Sequence, residues 1–197
     1  IVNWNTRGLL AQCLSSIQEN VLMPQRHNIE TLVVDNASTD GSAAMVQERF
    51  PQVHLIANDA NVGFAQANNQ ALAHAQGRYV LLLNSDTEVK PGALAALIDF
   101  MDAHPEAGAC GPLLLNTDGS LQPSCHPMLT PGREFWRLMF LDRVWRRATY
   151  DMASWDRQQP RRVDVIKGAC LMARREALDQ VGLLDERYFI YTEEMDL

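Results

Sequence analysis

The most constraining feature of this chain is a series of short apolar runs, each closed by a polar residue and separated by stretches with helical spacing. Residues 29–35, 53–57 and 79–84 are rich in β-branched or other apolar side chains, and Asp35, Asn58 and Asn84 mark their polar ends. Runs of this length suit strands covered on both faces. Between them, Leu10, Leu14, Ile17 and Val21 follow the spacing of one helical stripe, as do Leu94, Leu97, Ile98 and Met101. Pro91 is expected in the first turn of that second helix. Residues 64–76 read as another helix, closed by Gly77. The alternation predicts an α/β fold whose central sheet is mostly parallel, joined by right-handed crossovers and flanked by helices.

Beyond about residue 105 the pattern loosens. Leu113 to Leu115, Asp118-Gly119 and Leu121 predict a hairpin, because Asp-Gly suits a tight turn. Residues 123–131 read as an irregular loop and 134–147 as helical, with Trp136, Phe140 and Trp145 as bulky apolar positions. Residues 163–173 read as strand and 174–181 as helix. The small antiparallel element of the fold is therefore expected in the C-terminal half. One mixed domain with two functional halves fits this organisation.

The charge of -7 at pH 7 disfavours nucleic acid as the main partner, since phosphate backbones select basic surfaces. A phosphorylated substrate is still accommodated if a divalent cation stands between it and the protein. Cys13, Cys110, Cys125 and Cys170 form no CxxC pair and read as reduced thiols of a cytosolic protein. No apolar run approaches the roughly 18 residues needed to span a bilayer, and no signal peptide is present. The chain opens on Ile1-Val2-Asn3-Trp4, inside a strand pattern, and closes on Glu194-Met195-Asp196-Leu197 without a helix stop. Both ends therefore read as cut, with flanking segments, a membrane-binding one among them, expected beyond.

In open α/β sheets, ligands bind beyond the carboxyl ends of the strands. Three polar clusters fall there: Asn3-Trp4-Asn5-Thr6, the stretch from Asp35 to Ser42, and Asn84-Ser85-Asp86-Thr87. The middle cluster also has the composition of a strand-to-helix turn, with Asp40 or Ser38 as the helix cap. Asp35 ends its strand before that turn begins, so its carboxylate is available to a base N–H or a ribose hydroxyl. Asp86 follows the most hydrophobic strand, and magnesium takes one or two protein carboxylates where substrate phosphates complete its shell. In Tyr191-Thr192-Glu193-Glu194-Met195-Asp196, the acids are either an exposed helix start or the source of a general base. Trp136, Trp145 and Trp155 are packing residues or sugar platforms. Arg161, Arg162 and Lys167 are solvated charges or phosphate contacts.

Taken in order, Ile1-Val2-Asn3-Trp4-Asn5, the run from Val33 to Ser42, and Asn61-Val62-Gly63-Phe64-Ala65-Gln66-Ala67-Asn68-Asn69 form a recognisable series. It continues through Leu82-Leu83-Asn84-Ser85-Asp86-Thr87, Gly168-Ala169 and the segment from Tyr191 to Leu197. The set resembles the family 2 glycosyltransferases, inverting enzymes of GT-A fold, and most of all their bacterial rhamnosyltransferase-type members that build surface polysaccharides. The resemblance implies a nucleotide-binding half, 1–87, and a sugar and acceptor half, 88–197. It implies that Asn3, Trp4, Asn5, Asp35, Gly63, Asn68 and Ser85 bind the nucleotide, and that Gly168 and Ala169 line the sugar pocket. Asp86 stands where the family's Asp-x-Asp motif ends and is expected to hold Mg²⁺ or Mn²⁺, with Asn84 in place of the first Asp. Glu194 replaces the second acid of the family's Glu-Asp pair and is the candidate base, with Glu193 as the alternative.

The implied donor is a dTDP- or UDP-sugar, and the implied acceptor a saccharide or lipid-linked saccharide. That activity belongs in the cytoplasm or at the inner face of the cell membrane, with peripheral membrane association. A sugar nucleotidyltransferase and a non-catalytic nucleotide-sugar-binding module are the competing readings. A dinucleotide dehydrogenase is disfavoured, because no GxGxxG follows the first strand.

Overall fold

Strand and helix alternate from the first residues of the chain to Cys110, as their spacing predicts. The order is β1 (Val2–Asn3), α1 (Arg7–Leu22), β2 (Leu32–Asp35), α2 (Ser42–Arg49), β3 (His54–Ala57), α3 (Phe64–His74), β4 (Tyr79–Leu83), α4 (Ala93–Ala103) and β5 (Ala109–Cys110). This is a computed structural model, and it describes residues 1–22, 27–140 and 149–189. A separate unit follows, with β6 (Leu114–Leu115), β7 (Leu121–Gln122), β8 (Cys125–His126), α5 (Pro131–Leu138) and β9 (Val165–Ile166). The chain then supplies β10 (Cys170–Arg174) and α6 (Arg175–Val181). Ile1–Cys110 and Gly168–Leu197 form one compact unit, and Gly111–Lys167 the other.

In the first unit, β1, β2 and β3 are parallel neighbours in that order, while β10 lies antiparallel between β4 and β5. A parallel bridge from Val2 to Asn84 joins the two groups, giving the order β3-β2-β1-β4-β10-β5. Register then decides where the polar ends fall. Asn3 pairs with Asp35 and Asp35 with Ala57, so the carboxyl ends of three strands are level. The core that holds them is the predicted one. Leu10, Leu14 and Ile17 of α1 and Leu94, Leu97 and Met101 of α4 are buried, as are Val33 and Val34 of β2. Each such side chain contributes about 1.5–3 kcal/mol relative to exposure.

The Arg174 guanidinium ties β10 to the end of α4, donating to the carbonyls of Met101, His104 and Ala107 and to the Tyr79 hydroxyl. These carbonyls include the helix-end acceptors that have no partner within α4.

Four local expectations are corrected. Residues 163–173 are two strands, because β9 pairs with β8 in one unit while β10 pairs with β4 and β5 in the other. The span 123–131 contains β8 rather than loop alone. Pro91 precedes the helix, whose cap is Gly92 in the left-handed region at φ 79°. Helix α3 ends at His74, and Gly77 answers a different demand: a Cβ there would lie 2.8 Å from the Tyr79 carbonyl oxygen. The Asp-Gly hairpin forms as expected, with Leu114 opposite Gln122, Leu115 opposite Leu121, and Gly119 at φ 80°.

Candidate functional site

Asn3 ends β1 fully buried, and its amide is the hinge of a polar network across the strand ends. Its Nδ2 donates to Asp35 Oδ1 at 2.7 Å and to Ser38 Oγ at 3.1 Å, while its Oδ1 accepts from Thr6 Oγ1 at 2.6 Å. The Ser38 amide donates to Asp35 Oδ2 at 3.0 Å, so each carboxylate oxygen of Asp35 holds one internal donor. Each oxygen keeps one further acceptor position. Thr6 Oγ1 lies 3.0 Å from Ser85 Oγ, which carries the network to the loop after β4. Asn3, Asp35 and Ser85 are thus brought together as expected. Thr6 and Ser38 are additions, each three residues beyond its partner, the spacing at which short polar side chains bond back to a turn.

Asp40 sets the helix starts around this network. Its Oδ2 accepts the Arg7 amide at 2.8 Å and its Oδ1 the Ser42 amide at 3.0 Å, so one carboxylate serves the first residues of both α1 and α2. Partial burial pushes its pKa up, but hydrogen bonds from the Ser42 hydroxyl and the backbone amides outweigh that and hold it below the ordinary carboxylate value. Of the two predicted caps, Asp40 therefore serves α2, although Gly41 at φ 81° is the residue directly before the helix. Ser38 instead takes the Asn5 amide at 2.8 Å. Two non-glycine residues occupy the left-handed region here, Asn5 at φ 54° and Ala37 at φ 60°. Asn tolerates that conformation, whereas Ala does so at a cost of roughly 1–2 kcal/mol. Trp4, between these turns, is 57 % exposed.

The loop before α3 is drawn to the same edge. Asn36 Nδ2 donates to the Gly63 carbonyl at 3.1 Å, and Asn58 Nδ2 donates to Asn36 Oδ1 at 2.9 Å. Gly63 has φ 89°, and a Cβ on it would lie 2.9 Å from both the ring and the carbonyl oxygen of Phe189. The Phe64 amide donates to that same carbonyl at 2.7 Å. Asn68 is buried and spends its amide on the Phe64 carbonyl at 2.9 Å. It also borders a cavity of about 670 Å³ lined by Ile17, Leu32, Leu72, Val80 and Leu94. That apolar space offers little to a diphosphate, so the polar strand ends are the better site.

At the end of β4, the Asn84 amide donates to the Ala169 carbonyl at 3.0 Å, placing the half-buried Gly168-Ala169 step beside the Asn84-Ser85-Asp86 loop. The Asp86 side chain is exposed, and among the described residues no hydrogen bond or ion pair reaches its carboxylate. No group of three His, Cys, Asp or Glu able to hold a metal occurs among the described residues. The arrangement fits a hard cation that takes one protein carboxylate and completes its shell with water and phosphate oxygens. Glu193 and Glu194, with the rest of 190–197, lie outside the described residues. No helix among the described residues is long and apolar enough to cross a membrane.

Comparison with known proteins matches this geometry to a family. The chain is 36 % identical over 183 residues to the N-acetylglucosaminyl-diphospho-decaprenol L-rhamnosyltransferase of Mycobacterium tuberculosis, an alignment covering 86 % of this chain and 59 % of that protein. It thus spans less than two thirds of that relative. Among solved structures, the mannosyltransferase PcManGT from Pyrobaculum calidifontis, in complex with GDP-Man and Mn²⁺, superposes with a TM-score of 0.64 at 23 % identity, covering 98 % of this chain and 48 % of that one. S. aureus TarS 1–349 in complex with UDP gives 0.65 at 17 % identity, covering 98 % and 51 %. These likenesses show the fold, which is the expected GT-A type. The sequence profile of glycosyl transferase family 2 matches residues 1–182, and the chain belongs to that family.

Proposed function

We propose that this chain carries the donor-binding core of an inverting, metal-dependent glycosyltransferase of bacterial surface polysaccharide synthesis. The sugar, L-rhamnose by analogy with the mycobacterial relative, passes from a dTDP- or UDP-linked donor to a hydroxyl of a saccharide or lipid-linked saccharide at the cytoplasmic membrane face. The observation that carries the reading is the network joining Asn3, Thr6, Asp35, Ser38 and Ser85 across three strand ends, beside the unpartnered carboxylate of Asp86.

Asp35, through its remaining acceptor capacity, receives a hydrogen bond from the nucleoside. Trp4 and Asn5 cover the base, and Gly63, Asn68 and Ser85 complete the nucleotide pocket. Gly168 and Ala169 line the sugar. Asp86 holds Mg²⁺ or Mn²⁺, and the PcManGT complex with Mn²⁺ supports this choice. The ion supplies Lewis-acid stabilisation of the diphosphate leaving group. Asn84, already bonded through its amide to Ala169, keeps the Asp86 loop and the sugar-lining step in register. Glu194 takes the proton of the acceptor hydroxyl as that oxygen attacks the anomeric carbon from the face opposite the diphosphate, with Glu193 as the alternative base. Phe189 leads into this acidic segment in sequence, and its anchorage on Gly63 and Phe64 supports delivery of the base to the donor edge.

The test is turnover with a dTDP- or UDP-sugar and a lipid-linked saccharide, measuring both products. Nucleoside diphosphate with an inverted anomeric centre is expected, and Glu194→Gln should lower the rate about 10²- to 10⁴-fold. Release of pyrophosphate, or a retained anomeric configuration, overturns the reading.

A further inference from the structure

The unit from Gly111 to Lys167 presents a surface for which the transfer chemistry has no use. On α5, Phe135 and Leu138 stand three residues apart and Met139 follows one turn after Phe135; they are 61 %, 66 % and 57 % exposed. The Met139 amide donates to the Phe135 carbonyl at 3.0 Å, so all three share one helical face. Met128 and Leu129, just before the helix, are also exposed.

Polar bonds fix the start of this element. Pro131 opens the helix, Thr130 Oγ1 accepts the Arg133 amide at 3.3 Å, and the Arg133 guanidinium donates to the Met128 carbonyl at 2.7 Å. Asp164 Oδ2 accepts the Met128 amide at 2.9 Å and pairs with Arg133 at 3.4 Å. The apolar side chains are thus displayed from a capped, tethered helix start.

Charge is segregated in the same way. Residues 111–167 hold nine Lys and Arg against six Asp and Glu, whereas the rest of the chain holds eight against eighteen. Within Arg133 to Arg147 there are five arginines and two acids, interleaved with Phe, Trp, Leu, Met and Val. A chain of net charge -7 is repelled by an anionic surface if its charges are mixed. Concentrating basic residues beside exposed apolar ones reverses that locally, and this is the chemistry of an element lying in a lipid–water interface.

We infer that the surface formed by Met128, Leu129, Phe135, Leu138 and Met139 docks onto an anionic lipid bilayer, with the neighbouring arginines meeting its phosphates. The inference rests on exposure and charge, so it stands or falls separately from the transfer reaction.

Cosedimentation of the chain with vesicles tests it. Binding is expected to vesicles of phosphatidylcholine mixed with phosphatidylglycerol and not to phosphatidylcholine alone, weakening as added salt shortens the Debye length. The double substitution Phe135→Ser/Leu138→Ser should lower the partition coefficient about tenfold or more, with circular dichroism unchanged. Absence of binding to the mixed vesicles, or binding indifferent to that double substitution, overturns the inference. So does concentration-dependent self-association that the same substitution abolishes without any lipid binding, since the face then belongs to a second copy.

Discussion

Replacing Gly63 by alanine isolates the contact that anchors Phe189 to the donor edge. The new Cβ meets the Phe189 ring and carbonyl oxygen at 2.9 Å each and its Cα at 3.3 Å. The ring can swing away, but the carbonyl is held by the 2.7 Å bond from the Phe64 amide. The backbone at φ 89°, ψ 171° is also a region reserved to glycine, and a side chain forced into such a region costs about 1–3 kcal/mol. Loss of the Phe64–Phe189 bond adds about 0.5–1.5 kcal/mol. The stiffer unfolded chain offsets about 0.4–1 kcal/mol. The balance is a destabilisation of about 2 kcal/mol, with a range of roughly 1–4. At 2–4 °C per kcal/mol, the central value corresponds to a fall of about 4–8 °C in Tm.

Hydrogen exchange gives the local readout, because the Phe64 amide should lose protection in the variant. Gly92→Ala is the control, since Gly92 has φ 79° but no atom within 4 Å of the added Cβ. It should show backbone strain without the effect on Phe64. If Gly63→Ala keeps its Tm within about 1 °C and full protection at Phe64, the argued contact does not hold the segment.

Four further outcomes are expected. Asn3→Ala removes a buried donor from Asp35 and an acceptor from Thr6, and should cost about 2–4 kcal/mol by denaturant unfolding; a cost under about 0.5 kcal/mol contradicts the network. Burial pushes the thiols of Cys13 and Cys110 up to about 11 and that of Cys170 to about 12. Alkylation of the native chain near pH 8 should therefore be slow at these sites and become fast on unfolding. Because these folded-state values lie above the ordinary thiol value, the associated stability is complete below that value. It is lost as pH rises through the folded-state range, so denaturation midpoints should fall from about pH 9 towards pH 12. Arg174→Lys leaves part of the acceptor set at the end of α4 unserved and should destabilise by about 1–3 kcal/mol without altering nucleotide affinity.

The sheet and its functional edge were legible because each buried strand ends where an apolar run meets Asp or Asn, a signal carried by neighbouring residues. Asp35, Asn84 and the Asp118-Gly119 turn are of this kind. What escaped depends on partners distant in sequence. The break between β9 and β10 follows from pairing in two different units, which an apolar run from 163 to 173 conceals. Asn69 binds the backbone of Leu184 across 115 residues, through both its amide nitrogen and its oxygen. Nothing local in either segment announces that clasp. Asn3 reads as a pocket residue from its place at a strand end, yet its full burial makes it the element that orients Asp35 and Ser38. The crowding at Gly63 likewise requires knowledge of Phe189.

The most direct test of the donor site is thermal stabilisation by dTDP, UDP, GDP and ADP, each with and without Mn²⁺, in the wild type and Asp86→Ala. Ligand at about 100 times its Kd adds about 2.7 kcal/mol, or roughly 5–10 °C for a domain of this size. The account predicts a Mn²⁺-dependent shift of that order with dTDP or UDP that disappears in Asp86→Ala, whose own Tm is unchanged. A nucleotide shift of equal size with and without metal, or one that survives the loss of Asp86, would contradict it.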